Sequence, residues 1–213
     1  METSNPDQLK KLLSENANLW RGGELAGNSK DSISTAYEKL DAILPNKGWP
    51  QHGLIELISK NWGMGEISLF IPLMKWFTQQ KYWLAWISPP HIPYAPALVN
   101  AGVDINYMII VDSNTSKRDA IWSMEKSLQS NACGLVFSWL DKPSNAATRR
   151  LQLAAESGKT LGVLFNQSPS PQSFASLRLQ VQSKQNNPSE FHISVLKARG
   201  TLNCHAVTLN LPW

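Results

Sequence analysis

The sequence predicts an α/β fold with a mainly parallel sheet flanked by helices and antiparallel strands added toward the C-terminus. Three observations predict it. Short, continuously apolar runs (LIELI, WLAWI, YMIIV, GLVFSW, LGVLF) recur between segments of helical spacing, the pattern of parallel strands buried on both faces. Beyond about residue 174 the runs alternate apolar and polar instead, as antiparallel strands with one wet face do. The chain has 213 residues, 42% of them hydrophobic and 17% charged, which gives one domain enough core to fold without disulfides.

The elements follow in order. Residues 1–32 are polar, with a short helical pattern at Leu9, Leu12 and Leu13 and then Trp20-Arg21-Gly22-Gly23. They are read as an N-terminal arm, and the organised domain as 33–213. Leu54–Ile58 is a short strand preceded by the turn material Gly48-Trp49-Pro50. A glycine loop follows, then apolar residues at 67, 70, 71, 74 and 77 predict a helix in which Pro72 belongs to the first turn or makes a kink. Trp83–Ile87 and Tyr107–Val111 are expected as buried strands. Ser116-x-x-Asp119 caps a helix whose apolar face is Ile121, Met124 and Leu128. Gly134–Trp139 and Leu161–Phe165 are two more buried strands around a helix near Ala146–Glu156. Leu177–Val181, Phe191–Leu196 and Ala206–Leu211 form the antiparallel extension.

Composition removes several functions. The longest apolar run, Ile67 to Phe77, is broken by Pro72 and Lys75, too short for a membrane span. The opening METSNPDQLKK lacks the basic-then-apolar order of a secretory leader, so a cytoplasmic protein is expected. Two cysteines, Cys133 and Cys204, make neither a disulfide framework nor a zinc site; Cys204-His205 has no second ligand pair. Charge is uneven: residues 142–213 hold 8 basic and 2 acidic side chains, against 12 and 14 before them. A basic last third suits nucleic acid, an acidic protein surface or ordinary solvated faces.

A strand, a glycine loop and a helix near residue 60 is the setting of a phosphate-binding loop, which needs GxxxxGK[ST]. Here the run is Ser59-Lys60-Asn61-Trp62-Gly63-Met64-Gly65-Glu66-Ile67. With the last glycine at Gly65, Glu66 takes the lysine position and Ile67 the magnesium-binding position. GLVFSW ends in Ser138-Trp139 where an aspartate is needed, and WLAWI runs into Pro89-Pro90-His91 where a carboxylate must activate water. The loop (Gly63, Gly65, Glu66, Ile67) is therefore degenerate, with no cofactor, no metal and no catalytic residue expected. The scattered histidines His52, His91, His192 and His205 make no catalytic set, and Asp112 and Asp141 are read as turn or cap residues.

Several motifs together carry a resemblance. Ile33-Ser34-Thr35, Leu40–Leu44 and Gly48-Trp49-Pro50 resemble the entry to a RecA core, and Tyr94–Leu98, Gly102–Ile105 and YMIIV resemble a later RecA segment, over about residues 33–140. Trp20-Arg21-Gly22, Gly65-Glu66, Leu84–His91, Ala132–Gly134, Ser138–Asp141, Arg149–Glu156 and Val195–Gly200 are similar to the ImuA family over about residues 19–200. That resemblance implies a RecA-like core and a non-catalytic adaptor in SOS-induced translesion DNA synthesis and mutagenesis. Its implied partner is an ImuB-like relative of Y-family polymerases, with RecA, a DnaE-type polymerase and self-association beyond that. The SulA family shares the Gly-Glu-x-Ser-Leu…Pro-Leu region, the Trp-x-x-Trp strand and the Trp-Leu segment, and it implies the alternative, an SOS cell division inhibitor binding FtsZ. For partner contact the sequence offers Trp20 and Arg21 in the arm, Lys197 and Arg199 at the end of FHISVLK, and Trp213. The sequence shows no dense Lys/Arg cluster with interleaved aromatics, which favours protein contact over direct DNA contact.

Overall fold

The computed structural model describes residues 32–63, 65–140, 142–170, 172–184, 187–198 and 205–211. The chain enters through a two-residue ribbon, β1 (Ser32–Ile33) antiparallel to β2 (Trp49–Pro50), with the short helix α1 (Glu38–Asp41) between them. Then come β3 (Gly53–Ile58), a 3-10 turn (Glu66–Phe70) leading into α2 (Ile71–Gln79), β4 (Trp83–Ile87) and α3 (Ala95–Asn100). They are followed by β5 (Met108–Val111), α4 (Lys117–Gln129), β6 (Cys133–Trp139), α5 (Asn145–Ser157) and β7 (Leu161–Asn166). The chain finishes with β8 (Leu177–Lys184), β9 (Asn187–Ala198) and β10 (Ala206–Asn210). One eight-stranded sheet results, in the order β10-β9-β8-β3-β7-β6-β4-β5. The six strands from β8 to β5 pair in parallel, whereas β9 and β10 are antiparallel.

Alternation along the strands divides the core into two layers. Ile55, Leu57, Trp86, Phe137, Trp139 and Phe165 face one way and pack with Leu73, Met74 and Phe77 of α2. Leu54, Ala85, Val136 and Leu164 face the other way, against Ala120, Met124 and Leu128 of α4 and Leu151, Ala154 and Ala155 of α5. Pro72 sits in the first turn of α2, where its missing N–H has no intrahelical partner to lose. Ser116 caps α4 reciprocally, accepting from the Asp119 N–H while its own hydroxyl donates to the Asp119 carboxylate.

Among the described residues one buried ion pair interrupts the apolar layers. Glu56 of β3 and Arg178 of β8 are register partners, 2 and 9% exposed, with Arg178 Nε 2.7 Å from Glu56 Oε2. Asn166 Nδ2 donates to Glu56 Oε1 (2.8 Å), and the Arg178 guanidinium donates to the Ser170 carbonyl (3.0 Å), tying the loop after β7 to the sheet.

Two expectations change. The run YMIIV is not buried on both faces: β5 is an outer strand, with Ile109 and Ile110 47 and 45% exposed. Apolar composition marks a strand but not its place in the sheet order. Leu177–Val181, assigned by alternation to the antiparallel extension, lies in β8, which pairs in parallel with β3 on one side and antiparallel with β9 on the other. Its alternation comes from the wet face beyond α5, not from its direction. The arm, including Trp20 and Arg21, lies outside the described residues except for Ser32, and so do Arg199 and Trp213.

Candidate functional site

The loop after β3 folds as the glycines require and then fills itself. Gly63 (φ 79°) and Gly65 (φ 94°) take left-handed conformations that residues with a Cβ adopt only under strain. They turn the loop so that the Gly63 N–H points at the Glu66 carboxylate, donating to Oε1 at 2.8 Å. Glu66 is 2% exposed. A loop of this kind offers backbone N–H groups to a phosphate; here the chain's own anion accepts from that donor. Ile67, at the magnesium position, lies half-buried against the core.

Beside the loop, at the C-terminal ends of the strands, is an apolar groove of about 720 Å³, the position and size at which open α/β sheets take ligands. Its floor is aromatic. Trp139 stacks on Phe165 (centroids 4.6 Å, planes 4° apart) and tilts against Trp86 (5.3 Å). Both indoles line the groove and are nearly buried, and no acceptor among the described residues pairs with their Nε1. Their nitrogens are enclosed in the floor, so the face that the two indoles offer the groove is apolar.

One wall is the segment after β4. Ser88 (φ 52°) bends the chain left-handed, and its N–H donates to the Val111 carbonyl, so that Pro89, Pro90 and His91 turn out over the loop. His91 lies near Gly63, where a Cβ would come within 3.6 Å of the ring. Ile92 and Tyr94 project beyond the rim, 85 and 73% exposed, followed by Val99 on α3 at 51%. The opposite wall is Ile67, Ile71 and Pro72. Glu66 supplies the one carboxylate among the described lining residues, and it is already engaged. The chemistry on offer is hydrophobic contact.

The structure places Gly63, Gly65, Glu66 and Ile67 in one turn, with the Pro89-Pro90-His91 segment beside them. Lys197 stands elsewhere: it is on β9, away from the groove, and its ammonium donates to the Ser173 carbonyl (2.7 Å). Asp112 accepts from the Asn114 N–H (2.7 Å), an ordinary turn. Asp141 lies outside the described residues. Sequence reasoning missed Trp86 and Trp139 as floor residues, and Ile92 and Tyr94 as rim. The available signal was PPHIPY directly after a buried strand, where prolines hold apolar side chains in a loop. Among the described residues no three His, Cys, Asp or Glu side chains converge as a metal site, and no helix is long and apolar enough to cross a membrane.

Comparison with known proteins places these features. The family model described as "Cell division inhibitor SulA" matches residues 54–162, half of the chain, from β3 through the groove to the start of β7. Curated relatives bear the same description. The one from Edwardsiella piscicida is 28% identical over 117 residues, 54% of this chain and 69% of the relative. That from Serratia marcescens is 26% identical over 153 residues (71% and 82%), and that from Photorhabdus laumondii 30% over 97 residues (46% and 54%). A crystal structure of SulA from Pseudomonas aeruginosa is similar over 54% of this chain and 98% of its own, at 22% identity and a TM-score of 0.44. These matches correct the ImuA resemblance and, with it, the translesion-synthesis adaptor. The motifs at Gly65-Glu66, Trp83–Ile87 and Trp139-Leu140 all lie within the residues that the SulA family model matches.

Proposed function

This chain belongs to the SulA family, whose model describes cell division inhibitors, and on that premise we propose that it arrests division by binding FtsZ through the rim of the strand-end groove. The observation that carries this is the pair Ile92 and Tyr94, large apolar side chains held out by a proline-rich loop beside an apolar groove. Exposed apolar clusters of this kind mark protein interfaces, and aromatic anchors dominate their energetics. In this reading an apolar side chain of FtsZ enters the groove and packs on the rings of Trp86 and Trp139. The protein acts in the cytoplasm and by occupancy, with no reaction of its own, because Glu66 occupies the anion position of the loop. The core is a degenerate RecA-like one, by its strand, glycine loop and helix and its parallel sheet. Self-association uses the open β5 edge at Ile109 and Ile110.

The test is FtsZ assembly followed by light scattering, with affinity from biosensor binding. Tyr94→Asp and Ile92→Asp are each expected to weaken binding about thirtyfold, the scale of a hot-spot loss of about 2 kcal/mol. Both side chains are exposed, so folding is preserved. Full inhibition by the double variant, with unchanged affinity, would remove this face from the interaction.

A further inference from the structure

We propose that a band of cations and aromatic rings across the N-terminal ends of α4 and α5 binds single-stranded nucleic acid. This surface belongs to the helix layer on the other side of the sheet from α2, so it goes beyond the FtsZ reading and does not depend on it.

The band is assembled from separate stretches of sequence. A groove of about 650 Å³ runs between the two helices, lined by Lys117, Arg118, Ile121 and Trp122 of α4 and by Ser144 and Arg150 at the start of α5. Trp122 is 57% exposed although the helix has an apolar face available to bury it. Lys117 donates to the Lys142 carbonyl (3.4 Å), which ties the start of α4 to the turn before α5. Across α5, the Arg149 guanidinium lies 5.7 Å from the centre of the Phe174 ring, which is itself 41% exposed. Asn145 donates to Gln172 (3.4 Å) and keeps that loop against α5. Of the nearby carboxylates, Glu125 is paired with Arg150 and Asp119 with the Ser116 cap. The result is ring, guanidinium, guanidinium, ring across α5 (Trp122, Arg150, Arg149, Phe174), with the Arg118 guanidinium in the groove beside Trp122.

A single strand fits this composition. Its bases offer π-faces to Trp122 and Phe174, and its phosphates meet the intervening cations; stacking platforms in charged grooves are how such strands are held. Both helices also present their positive dipole ends here. An acidic protein segment satisfies the cations but leaves the exposed rings unused. Protein interface cores are depleted in charge, whereas Trp122 is ringed by it. A duplex is disfavoured by the concave groove.

The probe is a labelled 20-nucleotide oligothymidylate, titrated with the full chain and read by fluorescence anisotropy. Three phosphate contacts on a single strand predict about a twentyfold loss of affinity between about 50 and 200 mM salt. Trp122→Ala is expected to weaken binding about tenfold with the salt slope unchanged, the mark of lost stacking. Arg118→Glu with Arg149→Glu is expected to flatten that slope by about one to two contacts. Both variants should melt like the wild type and bind FtsZ as it does, which separates this proposal from the preceding one. No binding at 50 mM salt, or an unchanged affinity in Trp122→Ala, overturns it. So does a polyglutamate peptide that competes as well as the oligonucleotide, since that assigns the band to an acidic protein.

Discussion

Replacing Arg178 by methionine isolates the largest electrostatic stake in the fold. The change keeps most of the side-chain volume but removes the cation 2.7 Å from Glu56, a carboxylate 2% exposed in the middle of the sheet. Asn166 Nδ2 is the remaining described donor to Glu56, and the Ser170 carbonyl loses the guanidinium. Breaking a buried pair from one side costs about 3–5 kcal/mol, because the surviving charge stays desolvated. At about 2–4 °C per kcal/mol for a chain of this size, the melting temperature should fall by roughly 10 °C. Glu56→Leu alone should cost a similar amount by orphaning Arg178. The double variant Glu56→Leu/Arg178→Met carries no stranded charge and should fall short of the sum of the single losses by at least about 2 kcal/mol. Urea unfolding of the four proteins closes the cycle. Single losses below about 1 kcal/mol, or simple additivity, would mean that the pair is screened like a surface one and that the reasoning from burial is wrong.

Glu66→Ala removes the carboxylate that accepts from Gly63 and should cost about 1–3 kcal/mol of stability, the scale of a buried donor left without its partner. It should still give no heat with magnesium and ATP in calorimetry, since neither a lysine nor a hydroxyl is restored; micromolar binding would show the loop to be competent. Burial raises the Cys133 thiol above its ordinary value. In a Cys204→Ser background, alkylation near pH 8 should therefore be much slower folded than in urea, and it should speed up as the pH climbs through the raised value. The same sign means that the stability contributed by the neutral thiol is full below the ordinary thiol range and is lost above it. Equal rates in the two states would contradict that burial.

What the sequence disclosed follows from where side-chain periodicity is local. Trp83–Ile87 matches the observed strand residue for residue, and Ser116 with Asp119 marks the start of α4, because both signals lie within a few residues. The glycine turn and the carboxylate after it were legible for the same reason: Glu66 stands at a fixed offset from Gly65. Long-range arrangement was not. Nothing in YMIIV tells a central strand from an outer one, and the parallel pairing of Leu177–Lys184 depends on a loop that carries the chain past β3. The basic and aromatic band was invisible because Lys117–Trp122, Arg149-Arg150 and Phe174 are interleaved only when α4, α5 and the loop after β7 lie side by side. Family assignment went astray where motifs are shared: Gly65-Glu66 and Trp139-Leu140 fit two related groups, and the match over 54–162 decides between them.

The carboxylate of Glu66 has a consequence for control. Phosphate loops that load and empty give their proteins two shapes and a clock set by turnover. A loop that supplies its own anion has a single shape and no clock. On the proposed reading the surface beside it, from Trp86 to Tyr94, is the same whether the cell is rich or poor in nucleotide. How much target is held follows, on that reading, from the number of copies present and their affinity, and timing comes from when the chain is made and how long it lasts.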